Sequence, residues 1–296
     1  MKQSNLPIHF FTIVLNGQPF INYHLETFKK LPIHWHWHII EGVANLKHDS
    51  SWPLENGGEI TDSLHDNGLS NDGTTKILDH IKLENPKQVT IYRKGDGKFW
   101  DGKIEMINAP LKNIKKECLL WEIDVDEFWT PEQIMEGHRM FSDNPRKFAA
   151  FYWCHFFVGP ELVLLTRFGY GNHPEQDWQR TWRFKPGFFW MAHEPPMLVE
   201  RNLKGIISPV VLRGVFDHNE TEARGLVFQH FAYVLPSQLL FKEDYYGYKN
   251  ALHLWKKLQI HHSFPVRLAD FLPWVRDETM VGNINSVGIR PNIPLS

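Results

Sequence analysis

Cysteine is almost missing: two residues in 296, Cys118 and Cys154. Two thiols build neither a disulfide framework nor a four-cysteine zinc site. The compartment they suit is a reducing cytosol. A basic excess is missing as well, with 32 Lys+Arg against 34 Asp+Glu and a net charge of −2, which disfavours nucleic acid as the main partner. No apolar run reaches the roughly 20 residues of a membrane span. The short apolar run near the start is followed by no small-residue cleavage site, so it reads as a first strand and not as a signal peptide. Repeats and low-complexity tracts are absent too. Present in unusual number are Trp (12), Phe (21) and His (17), within 42% hydrophobic and 22% charged residues, enough apolar material for a sizeable core.

Residues 9–15 form an apolar, β-branched run that ends at the turn signal Asn16-Gly17. A helical pattern over 19–30 and a second strand over 35–41 follow. Residues 45–73 are polar, a length of loop that is usually functional or mobile. A helix from Asp72 to about residue 82, a strand over 89–93, a helix over 101–114 and an apolar strand over 118–125 continue the alternation. Thr130-Pro131-Glu132 reads as the cap, first-turn proline and first-turn acid of another helix. The order β-α-β-α-β-α-β-α predicts a mostly parallel sheet with helices on both faces. Beyond residue 147 the character changes, with aromatic strands over 148–158 and 162–168, a strand over 228–234, a long helix over 237–259 and an irregular tail. No Pro/Gly/Ser linker separates the parts, so residues 1–296 are expected to form one domain.

The sharpest chemical signal is the stretch Leu119 to Trp129, a hydrophobic strand that delivers Asp124, Asp126 and Glu127 at its C-terminal end. Open α/β sheets bind ligands at that edge. In an extended chain Asp124 and Asp126 point the same way, and two carboxylates on one side suit a hard cation such as Mg²⁺ or Mn²⁺. The plainer reading is a solvated strand end.

This block resembles the Asp-x-Asp block of glycosyltransferases of the GT-A fold, particularly the family 2-like branch. Earlier segments fit in order: residues 11–28 resemble the opening strand, turn and first helix, and residues 35–44 the second strand ending in an acid. Residues 72–81 resemble the following helix start, and residues 100–111 the helix carrying an Asn (Asn108) before the metal block. Residues 180–198, with an Arg/Trp strand, a glycine, an aromatic and then His193-Glu194, are similar to a later pattern of bacterial members. The likeness spans about residues 8–200. It departs in the long 45–73 stretch and in the alternating His/Trp run 34–38.

The resemblance implies a GT-A-like (Rossmann-like) fold. Residues 1–130 would be a nucleotide-sugar-binding half, and residues 131–296 an aromatic-rich acceptor-binding half with a C-terminal helix. It implies transfer of a sugar from a UDP- or GDP-type donor to an acceptor glycan, lipid or protein, with inversion and with Mn²⁺ or Mg²⁺. Asp126 would ligate the metal on the diphosphate, and Asp124 would contact the ribose or the metal. Asn16 and Glu41 would meet the base or ribose, and Asp72 is either a nucleotide contact or a helix cap. A late histidine, His230, would complete the metal shell or be a core residue. Glu194 is the candidate general base, with Asp177 and Asp217 as rivals; two following prolines stiffen its backbone. Trp178 beside Arg180 and Arg183 marks an acceptor site, or the arginines pair the diphosphate.

Other features favour structural roles. His34, His36 and His38 share a strand face at a spacing too wide for one ion. Most aromatics belong to the core. Lys242, Lys249, Lys256 and Lys257 fall on the late helix as a solvated face. Two alternatives remain open: a non-catalytic carbohydrate- or nucleotide-binding module on the same scaffold, and a metal-dependent phosphohydrolase with Asp124 as nucleophile. The mid-chain position of the acidic block counts against the second.

Overall fold

Along β1 (Ile8–Val14) side chains alternate between two buried layers: Phe10 enters a core with Trp37 and Trp121, and Phe11 one with Leu120 and Trp182. A strand that buries both faces reads as a continuous apolar run. The computed structural model describes residues 6–48, 51–167 and 178–294. After β1 come α1 (Ile21–Lys29), β2 (Trp35–Glu41), α2 (Ser51–Glu55), α3 (Thr74–Glu84), β3 (Val89–Tyr92), α4 (Lys103–Asn108) and β4 (Cys118–Glu122). Next are β5 (Glu127–Phe128), α5 (Pro131–Asp143), β6 (Ala149–Phe151), β7 (Trp153–Gly159), β8 (Leu162–Leu164) and β9 (Gln179–Phe184). The chain continues through β10 (Phe189–His193), β11 (Pro196–Arg201), β12 (Ile207–Pro209), β13 (Val215–Phe216), α6 (His218–Glu222) and β14 (Val227–His230). It closes with α7 (Pro236–Tyr245), α8 (Ala251–Gln259), β15 (Val266–Arg267) and β16 (Met280–Asn283).

The fold is mixed α/β. A seven-stranded sheet has the order β13-β6-β9-β4-β1-β2-β3. β1 runs parallel to β2 and β4, and β2 parallel to β3, while β9 is antiparallel to both β4 and β6. The mostly parallel sheet expected from the alternation is therefore present. A six-stranded sheet, β15-β16-β8-β7-β14-β5, and a three-stranded sheet, β10-β11-β12, complete it. α5 starts at the expected signal, with Thr130 and Gln133 forming a reciprocal capping box and Pro131 in the first turn.

Several boundaries differ from the sequence reading. The strand expected over 118–125 ends at Glu122, and the chain turns, with Glu127 N–H donating to the Asp124 carbonyl at 2.9 Å. The helix expected over 101–114 stops at Asn108, before Pro110, and resumes as one 3₁₀ turn. The strand expected over 148–158 divides around Tyr152: β6 joins the large sheet and β7 the second. The strand over 162–168 covers Leu162–Leu164; Phe168 lies outside the described residues. The long helix over 237–259 is two helices, broken where Gly247 and Asn250 take positive φ angles of 70° and 59°. The polar stretch 45–73 carries short helices, and its Leu46 and Leu64 pack with Tyr245 of α7.

Candidate functional site

A cleft of about 630 Å³ opens at the C-terminal ends of β1, β2 and β4, lined among others by Leu15, Gly42, Asp124, Asp126, Glu194 and His230. This is the sheet edge at which open α/β folds bind ligands. The turn after β4 decides how the acids are presented. Buried His24 of α1 bonds the Val125 carbonyl at 2.8 Å and so pins the residue between the two aspartates.

Asp124 and Asp126 meet different partners across that turn. β9, antiparallel to β4, brings Arg180 beneath Asp124. Its Nε donates to both Glu127 carboxylate oxygens at 3.0 and 2.9 Å, and its Nη2 donates to Glu127 Oε1 at 2.6 Å and Asp124 Oδ2 at 3.1 Å. Arg180 Nη1 lies 3.8 Å from Glu122 Oε2, so one guanidinium faces three carboxylates. Trp178 covers it, ring centroid 4.9 Å away. Burial pushes the Glu127 carboxyl up to about 7 against the pull of Arg180. Burial likewise raises Asp124, opposed by Arg180 and aided by Glu122 and Asp126.

Asp126 faces the other way. The pairing of β5 with β14 sets His230 opposite Glu127 and leaves His230 Nε2 3.4 Å from Asp126 Oδ1. Gln238 Nε2 holds the other oxygen, Oδ2, at 3.2 Å. Burial opposes charge on Asp126, but His230 and Lys242 outweigh it and the carboxyl is held down at about 2. Two donors bonded to one divalent ion at ~2.1 Å stand roughly 3 Å apart, so Asp126 and His230 fit a shared cation, with Gln238 fixing the carboxylate behind them. The expected three-residue set is not assembled: Asp124 is engaged by Arg180. Among the described residues no three His, Cys, Asp or Glu side chains stand together as ligands of one ion.

Glu194 lies across the cleft, 3.3 Å from Lys103 Nζ and 3.7 Å from His193 Nδ1. His193 Nε2 is 3.2 Å from Glu122 Oε1. Burial alone would lower His193, but Glu122 and then Glu194 raise it above the ordinary value. Several buried polar atoms here lack a well-aligned hydrogen bond: both His193 nitrogens, Glu122 Oε2 and His230 Nδ1. Buried polar atoms are normally satisfied; these four belong to residues that line the cleft.

The opposite wall comes from α7 and the break after it. Lys242 Nζ sits over the rings of Tyr233 at 4.7 Å and Tyr246 at 5.3 Å. Among the described residues no carboxylate lies within ion-pair distance of it, although Asp126, Glu194 and Asp124 all attract it, and burial lowers its pKa. The sequence put Lys242 on a solvated face; the helix break was not legible there, and with it went the signal that would have found this cation. Glu122 and Lys103 were missed because each is an ordinary charged residue in its element.

Other candidates stand elsewhere. Arg183, on β9 opposite Leu119, turns away from the cleft and binds Glu117 at 2.8 Å and the Phe141 carbonyl. The Asn108 amide ties the end of α4 to the Trp190 backbone in both directions, at 3.0 and 2.9 Å. The Glu41 carboxylate is fully buried and held by Arg93, Thr75 and Ser70, while the neighbouring Gly42 lines the cleft. Asn16 receives Asn71 N–H and donates to the Leu64 carbonyl. Asp72 receives the N–H groups of Thr74 and Gln18 just before α3; the residue at the N-cap itself is Gly73. Asp217 caps α6. Asp177 lies outside the described residues. Of the strand histidines, His36 and His38 stack with His9 of β1.

No protein-family model matches the sequence, and no curated protein matches it. Among solved structures, Staphylococcus aureus TarS 1–349 aligns over 60% of this chain and 47% of its own length, at 11% identity and a TM-score of 0.39. The same protein with UDP-GlcNAc aligns over 60% and 45%, at 10% and 0.39. The mannosyltransferase PcManGT of Pyrobaculum calidifontis, with GDP-Man and Mn²⁺, aligns over 50% and 35%, at 13% and 0.36. The aligned parts thus span under half of each neighbour. Scores this low do not assign a fold; here the strand order does. No helix among the described residues is long and apolar enough to cross a membrane.

Proposed function

We propose that the chain is a metal-dependent glycosyltransferase that moves a sugar from a UDP- or GDP-type donor to an acceptor nucleophile with inversion. The observation that carries the reading is the convergence of the Asp126–His230 pair, the cations Arg180 and Lys242, and Glu194 on one cleft at the sheet's C-terminal edge. The order of motifs along residues 8–200 supports the same reading. The nucleotide lies along Leu15, Gly42 and Ala44, and the diphosphate lies towards Asp126 and Lys242. A divalent cation held by Asp126 and His230 would neutralise charge on the departing diphosphate.

The residues of the chain do the rest. Lys242, in a partly dry aromatic setting, stabilises negative charge that develops as the sugar C1–oxygen bond breaks. Arg180 holds Asp124 and Glu127 in place behind that site. Glu194 accepts the proton of the acceptor hydroxyl as its oxygen attacks C1, a role for which a carboxylate near the nucleophile is suited. Residues 1–130 supply most of the donor-binding part, joined at the diphosphate by His230 and Lys242 from the acceptor-binding part 131–296, in one domain. Two buried cysteines that form no disulfide with each other, Cys118 and Cys154, suit a reducing cytosol.

The direct test separates binding from transfer. Glu194→Gln is expected to keep donor affinity, by calorimetry with the nucleotide sugar and Mn²⁺, and to lower the transfer rate at least a hundredfold. Unchanged transfer removes Glu194 from the reaction and points to its neighbour His193.

A further inference from the structure

The hairpin that delivers His193 and Glu194 to the cleft has a second end. β11 leaves the cleft at Pro196 and runs to Arg201, and the chain turns through residues 202–206 and returns as β12. At ~3.3 Å per residue the six residues of β11 set this tip about 20 Å from the cleft turn. Leu203 at the tip is fully exposed, and Ile206 and Ile207 are 59% and 40% exposed. Six of the thirteen exposed large apolar side chains among the described residues fall between Met191 and Leu212. Single exposed apolar residues are ordinary; five of these six on one small sheet and its turns, with Leu212 just after it, are not.

Three properties narrow what the tip meets. First, part of its backbone is satisfied from within. Asn202 Oδ1 accepts from Lys204 and Ile206 N–H at 2.9 and 3.0 Å, Gly205 N–H donates to the Asn202 carbonyl at 2.9 Å, and Asn202 N–H to the Ile206 carbonyl at 3.0 Å. Such a loop enters an apolar medium without stranding these backbone polar groups. Second, it is basic. Arg201 and Lys204 flank Leu203, and neither has a carboxylate partner among the described residues; the one close acid, Glu200, is taken by Arg213 at 2.6 Å. In a chain of net charge −2 this is a local positive site. Third, the tip does not suit strand addition: β12 is three residues long and ends in Pro209, which blunts an edge. A five-residue turn is also far smaller than a stable protein interface.

We infer that the 201–207 tip docks the protein on an anionic lipid surface, with Leu203 and Ile206 in the headgroup–acyl boundary and Arg201 and Lys204 on lipid phosphates. The cleft then stands about 20 Å above that surface. The inference does not depend on the transferase reading.

The test is flotation of the full chain with vesicles of phosphatidylcholine alone and of phosphatidylcholine with 30 mol% phosphatidylglycerol. The wild type is expected to float with the anionic vesicles and less with the neutral ones, and high salt is expected to weaken binding. L203S/I206S and K204E are each expected to lower partitioning at least tenfold, whereas L83S, at an exposed leucine on α3, leaves it unchanged. Melting temperatures of all variants should match the wild type, which shows that loss of binding is not loss of fold. A wild type that stays with the soluble fraction, or variants that float as well as it does, overturns the inference. So does a wild type that self-associates in gel filtration while L203S/I206S does not, which would assign the tip to a protein contact.

Discussion

Asp124 and Asp126 are two residues apart yet belong to different networks, because the chain leaves β4 at Glu122 and turns before reaching them. Alternation along a strand would have aimed both at one ion; the turn gives one to Arg180 and the other to His230. Two predictions follow from single side chains. Arg180→Met removes the guanidinium from Glu122, Asp124 and Glu127, of which Glu122 and Glu127 are buried. Uncompensated buried charge of this kind costs about 3–5 kcal/mol. Chemical denaturation should register that loss, and a change below 1 kcal/mol contradicts the assigned network. Lys242→Met behaves oppositely. The cation has no close carboxylate among the described residues, so an apolar replacement of similar length should leave the melting temperature unchanged or raise it. Affinity for the nucleoside diphosphate should fall about tenfold, the usual loss for a charged hydrogen bond. Unaltered affinity by calorimetry takes Lys242 out of the diphosphate site.

The elements that frame the cleft were legible to different degrees. β1, β2 and β4 announce themselves as apolar runs bounded by turn signals, and α5 by its Thr130-Pro131 start. Residues 237–259 do not: the helical periodicity of Leu239 and Leu252 continues across a break whose cause is the positive φ at Gly247 and Asn250, and neither residue is a strong enough breaker to be read alone. That break turns α7 so that Lys242 and Tyr246 line the cleft. The convergence of Glu194, Asp126 and His230 was legible only through the resemblance, since β10, the β4–β5 turn and β14 come together by long-range pairing that no local pattern encodes.

The close approach at the end of β1 supplies an element-scale prediction. A Cβ on Gly17 would lie 2.6 Å from Val14 Cγ2 and 2.8 Å from Val125 Cγ2. Gly17→Ala should destabilise the fold by about 1–3 kcal/mol and, because Val125 lies between the two aspartates, weaken donor binding as well. A variant as stable as the wild type contradicts this packing.

β1, β2 and the α1 helix between them carry histidines that the fold keeps neutral. Burial lowers His24 to about 4, and burial with His36 nearby lowers His9 to about 4; burial, His36 and His9 lower His38 well below its ordinary value. His9 Nδ1 and His38 Nε2 are 2.8 Å apart in one hydrogen bond, which a second proton would break. Below the unfolded value near 6.5 the unfolded chain takes up protons that the folded one refuses, so stability falls as the pH drops from about 6.5 towards 4. At pH 5 the loss from His24 alone is about 2 kcal/mol. Glu127, raised to about 7 by burial, gains stability over the same interval, so the His24 loss is read as the difference in urea midpoints between pH 7 and pH 5 in the wild type and in His24→Gln; the same pH dependence in both contradicts a neutral, buried His24.

At the scale of the molecule, the chemistry is shared between segments far apart in sequence. The β1–β4 edge offers Leu15, Gly42 and the aspartates, and residues beyond 178 add Arg180, Glu194, His230 and Lys242. The near-zero net charge conceals this opposition of acids and cations across one cleft. The abundance of Trp, Phe and His resolves in the same way. Trp37, Trp121 and Trp182 are fully buried core, while Trp178, Tyr246 and Tyr248 reach the cleft wall.

Binding of a nucleotide-diphosphate sugar in this cleft, through Asp126 and a divalent cation, is measured by thermal unfolding of the full chain with a panel of UDP- and GDP-sugars, with and without Mn²⁺, in the wild type and in Asp126→Ala. A ligand that binds only the native state raises the melting temperature by mass action. At least one nucleotide sugar is expected to raise it by several degrees, the rise is expected to require Mn²⁺, and Asp126→Ala is expected to abolish the rise while folding normally. If no nucleotide sugar shifts the wild type with any divalent cation, such binding is contradicted.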